Sequence, residues 1–436
     1  MEITALQWLV GVFVILLVIN VPIAFVIGIA GTVWFMGSPY FTLETAVQRV
    51  VAQTQSIAFL AVPFFIFAGN LMNHAGITSR LLRLSSLLTR RMAGGLAQVS
   101  VVLSTLMGGV SGSAVADASM EARILGPDMI KRGYPKGYAA AVICFTSLIT
   151  ATIPPSLGLI LYGFIGEVSI GRLFAAGLFP GLAMMTILML TVWVTSKKRG
   201  FDIPSADVKA PSWGEIFNDL KDSIWAMLFP IILIVGIRFG LFTPTEAGAF
   251  AVVYALVIGR FIYKELKWAN FKAALKDSFI DNGGIILIIA LSGIFGYALT
   301  MENVPQKLGG GLLEITTHPQ MLLVLIVLFL VVAGLFVDSN VNILLLTPIF
   351  LPVLKDVNVD PVHFGILMMT IVTMGVMTPP VGTALYIVCD ILDCPIEQYV
   401  KESIPFFAAV VVLVLILIFV PDFVLFVPNW LYGTPT

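Results

Sequence analysis

Apolar runs long enough to enter or cross a bilayer follow one another along almost the whole chain. Ten of them predict membrane-spanning helices, near residues 3–19, 20–37, 57–73, 138–166, 172–195, 223–241, 244–263, 282–300, 361–392 and 403–420. Two more, 94–126 and 319–354, carry a polar, glycine-containing break at their middle, which predicts re-entrant helical hairpins. Segments 42–55, 268–279 and 77–92 are too polar to span and too apolar to float free. They predict amphipathic arm helices along the interface, the last with Arg80, Arg83, Arg90 and Arg91 set among leucines. The longest polar stretch, 196–222, is the natural linker between two halves.

Those halves repeat. A shift of 225 residues superposes Gly109 on Gly334, Pro127 on Pro352, Pro154-Pro155 on Pro379-Pro380 and Pro180 on Pro405, without a gap. Glycine and proline are common in membrane helices, but so many matches at one offset point to internal duplication. The chain divides accordingly into scaffold spans and arms over 1–93, then a hairpin, broken helix and closing span over 94–195. After the cytoplasmic linker 196–222 come a second scaffold set over 223–318 and a second transport set over 319–436. Thr243-Pro244-Thr245-Glu246 reads as a capping box with proline at the first helical position. Its counterpart, Asn20-Val21-Pro22, lies within a few residues of the same offset, so 3–37 is read as two short spans. Five crossings per half leave the halves inverted relative to each other.

Charge sets an orientation. Arg80, Arg83, Arg90, Arg91, Lys131, Arg132 and Lys136 flank the first hairpin, but only Lys307 and Lys355 flank the second. Positive loops stay in the cytoplasm, so the first hairpin is expected to open inward and the second outward. Lys197-Lys198-Arg199, Lys264 and Lys267 then also fall inside. Composition agrees: the 436 residues are 59% hydrophobic and 11% charged, with a mean hydropathy of +1.02, too few charges to cover a soluble body. With 24 basic and 25 acidic residues and no basic stripe, no nucleic-acid partner is expected. Cys144, Cys389 and Cys394 make neither a disulfide framework nor a zinc pattern. Met1-Glu2-Ile3 lacks the basic start of a cleaved leader, so the first span is expected to persist.

The candidate chemistry lies in four polar breaks. The first hairpin turns at Gly108-Gly109-Val110-Ser111-Gly112-Ser113-Ala114-Val115-Ala116-Asp117, the second at Gly334-Leu335-Phe336-Val337-Asp338-Ser339-Asn340-Val341-Asn342. Polar groups at that depth are costly unless paired, hydrated or bound to an ion. Thr150-Ala151-Thr152-Ile153-Pro154-Pro155-Ser156 and Met377-Thr378-Pro379-Pro380-Val381-Gly382-Thr383 read as broken helices. Each Pro-Pro removes two backbone donors and stops its helix. Freed carbonyls beside Ser, Thr and Asn oxygens suit Na⁺, and exposed helix N-termini suit an anion. The plainer alternative is a simple kink, with the hydroxyls bonded back to their own helix. Asp117 has its own alternative, capping or solvating the second arm of its hairpin.

These residues resemble the large membrane subunit of tripartite ATP-independent periplasmic (TRAP) transporters, along essentially the whole chain. The resemblance rests on Pro63-Phe64-Phe65-Ile66-Phe67-Ala68-Gly69, Ser111-Gly112-Ser113-Ala114, Ile153-Pro154-Pro155-Ser156, Gly240-Leu241-Phe242-Thr243-Pro244-Thr245-Glu246-Ala247-Gly248 and Thr378-Pro379-Pro380-Val381-Gly382. It implies an all-α, multi-pass protein of the bacterial inner membrane, and an elevator-type, Na⁺-coupled importer of organic acids that is not an enzyme. It also implies two partners, a small membrane subunit and a periplasmic substrate-binding protein. Nothing precedes the first span, so the small subunit is expected as a separate chain. The candidate Na⁺ ligands are then Ser111, Gly112, Ser113, Thr152, Pro154, Asp338, Ser339, Asn340, Thr378 and Pro380. The candidate substrate residues are Ser113, Asp117, Pro155, Ser156, Asn342, Gly382 and Thr383. No arginine lies in the four breaks, so a substrate carboxylate would rest on helix N-termini and hydroxyls. The polar stretch from Ser113 to Glu121 leans the substrate from C4-dicarboxylates toward sialic acid, by association alone.

Other functions compete. A passive channel would need neither an ion gradient nor a binding protein. Gly109-Val110-Ser111-Gly112 matches the G-x-S-G of intramembrane serine proteases, but that chemistry needs a histidine at membrane depth. His74, His318 and His363 all sit at predicted span ends. Lys307 precedes Gly309-Gly310-Gly311, the wrong order for a P-loop.

Overall fold

The computed structural model describes residues 4–19, 21–38, 40–203 and 211–434, and among them every regular element is helical. Among the described residues, six helices are long and apolar enough to cross a membrane, or seven if the bent pair Lys136–Thr152 and Leu157–Ile165 counts as one span. Local chemistry sets several starts. Thr4 with Gln7, Ser212 with Glu215 and Thr243 with Glu246 each form a reciprocal capping box, satisfying N–H groups that the first turn leaves unpaired. Ala5–Val18 and Ile23–Gly37 are separate helices, as expected.

The order of elements in the first half returns in the second. Hairpin 1 pairs Gly95–Gly108 with Ala114–Ile124; hairpin 2 pairs Pro319–Phe336 with Ser339–Asp356. The first broken helix is Lys136–Thr152 with Leu157–Ile165, the second Pro361–Gly375 with Thr383–Ile391. Closing helices Ile170–Arg199 and Ile396–Phe419 follow, with Pro180 and Pro405 inside them. The starts at Ala114, Lys136, Leu157 and Ile170 have counterparts at Ser339, Pro361, Thr383 and Ile396, each within one residue of the 225 offset.

The two sets interlock. Leu157–Ile165 packs on the second arm of hairpin 2, where Gly158 faces Ile343 and Gly166 faces Leu351. Thr383–Ile391 packs reciprocally on the second arm of hairpin 1, and Leu392 covers Gly126. The first segments of both broken helices pack on each other at the centre, where Lys136–Thr152 is buried along nearly its whole length. Around this unit runs an outer layer of Leu43–Thr54, Ala61–His74, Ile77–Thr89, Trp213–Arg238, Pro244–Val257 and Trp268–Met301. Leu328, Phe329 and Val332 are among the large apolar side chains left more than half exposed, as a lipid-facing surface requires.

Three expectations about elements need correction. Segment 268–279 is not a separate arm: Trp268–Met301 is one continuous helix. Its polar turn is tied to a neighbour instead, with Asn70 donating to Asp281 at 2.9 Å and His74 Nε2 lying 2.9 Å from Asp277. The linker is shorter than 196–222, because the Ser212–Glu215 box starts a helix at Trp213 and Ile170–Arg199 continues to Arg199. Helices Val304–Ile315 and Pro421–Tyr432 lie where no element was expected. The arms at 42–55 and 77–92 are present as Leu43–Thr54 and Ile77–Thr89.

Candidate functional site

The first break follows from its sequence. Pro154 and Pro155 have no N–H to donate, Ile153 turns extended, and the helix resumes at 46° to its first segment. Ser156 caps the new helix by accepting from the Leu159 N–H at 3.5 Å. The tip of hairpin 1 is laid directly on this break. Gly112 adopts φ +61° there, and the Leu157 N–H donates to its carbonyl at 3.4 Å. A methyl group on Gly112 would press into the Pro155 carbonyl oxygen. Gly177 of the closing helix sits against the Thr152 carbonyl, and Gly181 against Ile153, so small residues let that helix approach the broken backbone.

One group at this junction stands out. The Ser111 hydroxyl is buried with no hydrogen-bond partner, and it borders a cavity of about 10 Å³ shared with Pro155, Leu157 and Phe65. That is roughly the room one water-sized occupant needs. Ser113 is committed to capping, accepting from the Ala116 N–H at 3.4 Å.

The second break has the same parts with different partners. Asp338 caps the second arm of hairpin 2 by accepting from the Asn340 N–H at 2.9 Å, and the Asn342 amide donates to the Val337 carbonyl at 2.8 Å. One turn before this tip, Gly334 packs backbone to backbone against Gly375, just ahead of the break. Tyr399 donates to the Met377 carbonyl at 2.6 Å, and Tyr386 to the Pro380 carbonyl at 2.8 Å. Pro380, Val381 and Thr383 are exposed, whereas residues 151–156 of the first break are all buried. The two breaks differ in access.

Placed in this geometry, the sequence-derived residues separate. Ser111, Gly112, Pro155 and Ser156 meet at the first tip, and Asp338, Ser339, Asn340 and Asn342 form the second. At Thr152 and Thr378 the plainer alternative holds for the side chains: their hydroxyls donate to Leu148 and Met374 of their own helices, at 2.9 and 2.7 Å. Donating that hydrogen leaves each hydroxyl oxygen its lone pairs, so both the hydroxyl and the backbone oxygens there can face a cation. Asp117 lies behind the tip, buried and engaged by Thr150 at 2.6 Å and Ser104 at 2.9 Å.

Asp117 is part of a polar cluster that the sequence reading missed. Ser100, Ser104, Glu121, Thr146 and Thr150 are all fully buried around it, between hairpin 1 and the first broken helix. Ser104 bonds Glu121 at 2.9 Å, Ser100 bonds Thr146 at 2.8 Å, and Ser100 also bonds Glu121. A signal was present. Ser100/Ser104, Asp117/Glu121 and Thr146/Thr150 are three polar pairs at i,i+4, each on one face of its helix.

A larger cavity of about 890 Å³ lies at the far end of the first broken helix, around residues 163–171. It is lined by Arg49, Gln53, Glu167 and Thr300 together with Leu344 and Pro348 of hairpin 2. It separates the outer layer from the interlocked unit without reaching either hairpin tip.

Paired hairpins and interrupted helices, holding polar backbone inside an apolar helical body, define a membrane transporter. The chain belongs to the DctM component family of tripartite ATP-independent periplasmic transporters, whose family model matches residues 10–423. It is 35% identical over 393 residues to the sialic acid TRAP transporter large permease protein SiaM of Vibrio cholerae, covering 90% of this chain and 91% of that one. It is 33% identical over 416 residues to the isethionate TRAP transporter permease protein DctMQ of Oleidesulfovibrio alaskensis, covering 95% and 65% respectively. Among solved structures, the Alcanivorax borkumensis YdaH transporter has a similar fold, with a TM-score of 0.65 at 14% identity over 94% of this chain and 97% of that one. These relatives are named as transporters, which points to a role other than catalysis.

Proposed function

We propose that this chain is the permease of a Na⁺-coupled importer of an organic acid in the bacterial inner membrane, working by an elevator motion. The observation that carries the reading is the first tip, where an unpartnered, buried Ser111 hydroxyl and the Pro155 carbonyl border a cavity of about 10 Å³. A hard cation wants several oxygens, and neutral hydroxyl and carbonyl groups suit Na⁺. Asp338, Ser339 and Asn340 supply the second ion site, with the Thr152, Pro154, Thr378 and Pro380 backbone contributing. Ser156, Asn342, Gly382 and Thr383 lie at or near helix N-termini, where a substrate anion is favoured. The halves are inverted repeats, and the interlocked unit is the moving body within a fixed outer layer.

The relatives' names support an organic anion without choosing one, since the sialic acid and isethionate permeases are almost equally similar to this chain. A small membrane subunit covers the outer layer, and a periplasmic binding protein delivers the substrate. Uptake into proteoliposomes tests the reading. Accumulation is expected only with an inward Na⁺ gradient, the binding protein and the small subunit together. Equilibration that needs neither the gradient nor the binding protein would make the chain a passive channel.

A further inference from the structure

Glu121 and Asp117 sit side by side in the interior with no basic group bonded to either. Both approach the same oxygen, Ser104 Oγ, at 2.9 Å. Two ionised carboxylates sharing a site repel, and burial away from solvent amplifies the repulsion. Charged or titratable groups on the neighbouring elements point elsewhere. Lys136 bonds Asp393, Tyr138 bonds Thr195, and Lys131 bonds Asp128. Tyr386 bonds the Pro380 carbonyl, and Cys144, Cys389, Asp390 and Arg123 make no hydrogen bond to either carboxylate. Gly95–Gly108 contributes no titratable side chain.

Counting hydrogens sharpens the case. Five side-chain hydrogen bonds hold the cluster together: Ser104–Asp117, Thr150–Asp117, Ser104–Glu121, Ser100–Glu121 and Ser100–Thr146. The four hydroxyls supply one hydrogen each, and an ionised carboxylate supplies none. Ser104 cannot donate to both acids. Adding one carboxyl proton closes the set, with Thr150 donating to Asp117, Ser100 to Glu121 Oε2 and Thr146 to Ser100: either Glu121 donates through Oε1 to Ser104, which donates to Asp117, or Asp117 donates through Oδ2 to Ser104, which donates to Glu121. In both arrangements the pair holds one proton, both Glu121 oxygens have partners, and Asp117 Oδ1 is buried with none.

The cluster is not a requirement of the fold. At the same offset, the second half carries Leu325, Phe329, Leu346, Ile371 and Gly375 in place of Ser100, Ser104, Glu121, Thr146 and Thr150. Asn342, an uncharged amide, stands where the first half has Asp117. An apolar interface packs the equivalent elements, so the acids have another use.

We infer that the Asp117–Glu121 pair is a proton-binding site, enclosed between hairpin 1 and the first broken helix, and carries one negative charge instead of two. Infrared difference spectroscopy on the purified full-length chain tests this without transport, partners or an ion gradient, so its outcome is separate from that of the proposed function. At neutral pH, wild type minus Glu121→Gln should show the carbonyl stretch of one protonated carboxylic acid, lost in the variant. The amide keeps a donor for Ser104 and an acceptor for Ser100. Glu121→Leu, the residue type already at position 346, is the second variant should the first fail to fold. A difference spectrum containing only ionised-carboxylate bands would overturn the proposal. So would loss of the acid band when NaCl replaces choline chloride, because the cluster would then be a cation site.

Discussion

A buried hydroxyl without a partner and a glycine that cannot be replaced sit next to each other at Ser111 and Gly112, and they make opposite predictions. Removing the Ser111 hydroxyl breaks no hydrogen bond, so Ser111→Ala should leave thermal stability within about 0.5 kcal/mol of wild type. If the hydroxyl is an ion ligand, the same variant needs markedly more Na⁺ for half-maximal uptake; unchanged Na⁺ activation would remove Ser111 from the site. Gly112→Ala forces a β-carbon into a left-handed conformation and against the Pro155 carbonyl. The conformational part alone costs roughly 1–2 kcal/mol, so a lower Tm is expected with loss of uptake. Gly296, inside Trp268–Met301 with open space around it, is the control. Gly296→Ala should raise stability by about 0.5–1 kcal/mol. Equal melting temperatures for all three variants would show that the tip is not under this constraint.

At the scale of elements, what the sequence announced most clearly was where helices stop and start. Pro154-Pro155 and Pro379-Pro380 lie at the breaks, and the Thr243–Glu246 box opens its helix. Such signals are local, because a proline or a cap acts within one turn. The errors fell where distant partners decide. Asp277 read as part of an interfacial arm, yet His74 of another helix pairs with it, Asn70 donates to Asp281 just beyond, and the helix runs through. The partners of the hairpin 1 acids were missed for the same reason, since Ser100, Thr146 and Thr150 join Asp117 and Glu121 only after packing. Those ties predict a mechanical contrast. Cysteines at His74 and Asp277 should form a disulfide to the same extent with and without Na⁺, both lying in the outer layer. Cysteines at Gly69 and Ser111, where a β-carbon on Gly69 would lie 3.4 Å from the Ser111 carbonyl oxygen at the first tip, should crosslink in one transport state and separate in the other. Sodium-independent crosslinking of both pairs would contradict motion between the two layers.

On the scale of the whole molecule, the unequal flanking charges predict how the hairpins are oriented, and access tests it chemically. With Cys144, Cys389 and Cys394 replaced, single cysteines at Ser113 and Ser339 report from the two tips. An impermeant thiol reagent in the periplasm should label position 339 much faster than 113 in the outward-facing state. From the cytoplasm, in the inward-facing state, the order should reverse. Equal labelling from one side in every state would mean that the halves are not inverted.

The interlocking of the halves also has a history in time. Leu157–Ile165 finds its groove on hairpin 2, and Thr383–Ile391 returns to cover hairpin 1. The first half therefore leaves the ribosome before its covering surface exists. At roughly 5–20 residues per second the 225-residue delay lasts about 11–45 s. Throughout that interval a nascent Pro-Pro break and a pair of acids wait in the membrane without their final neighbours. A gene split after Ile203 makes the wait permanent: the N-terminal fragment alone should be degraded, and co-synthesis of the C-terminal fragment should rescue it.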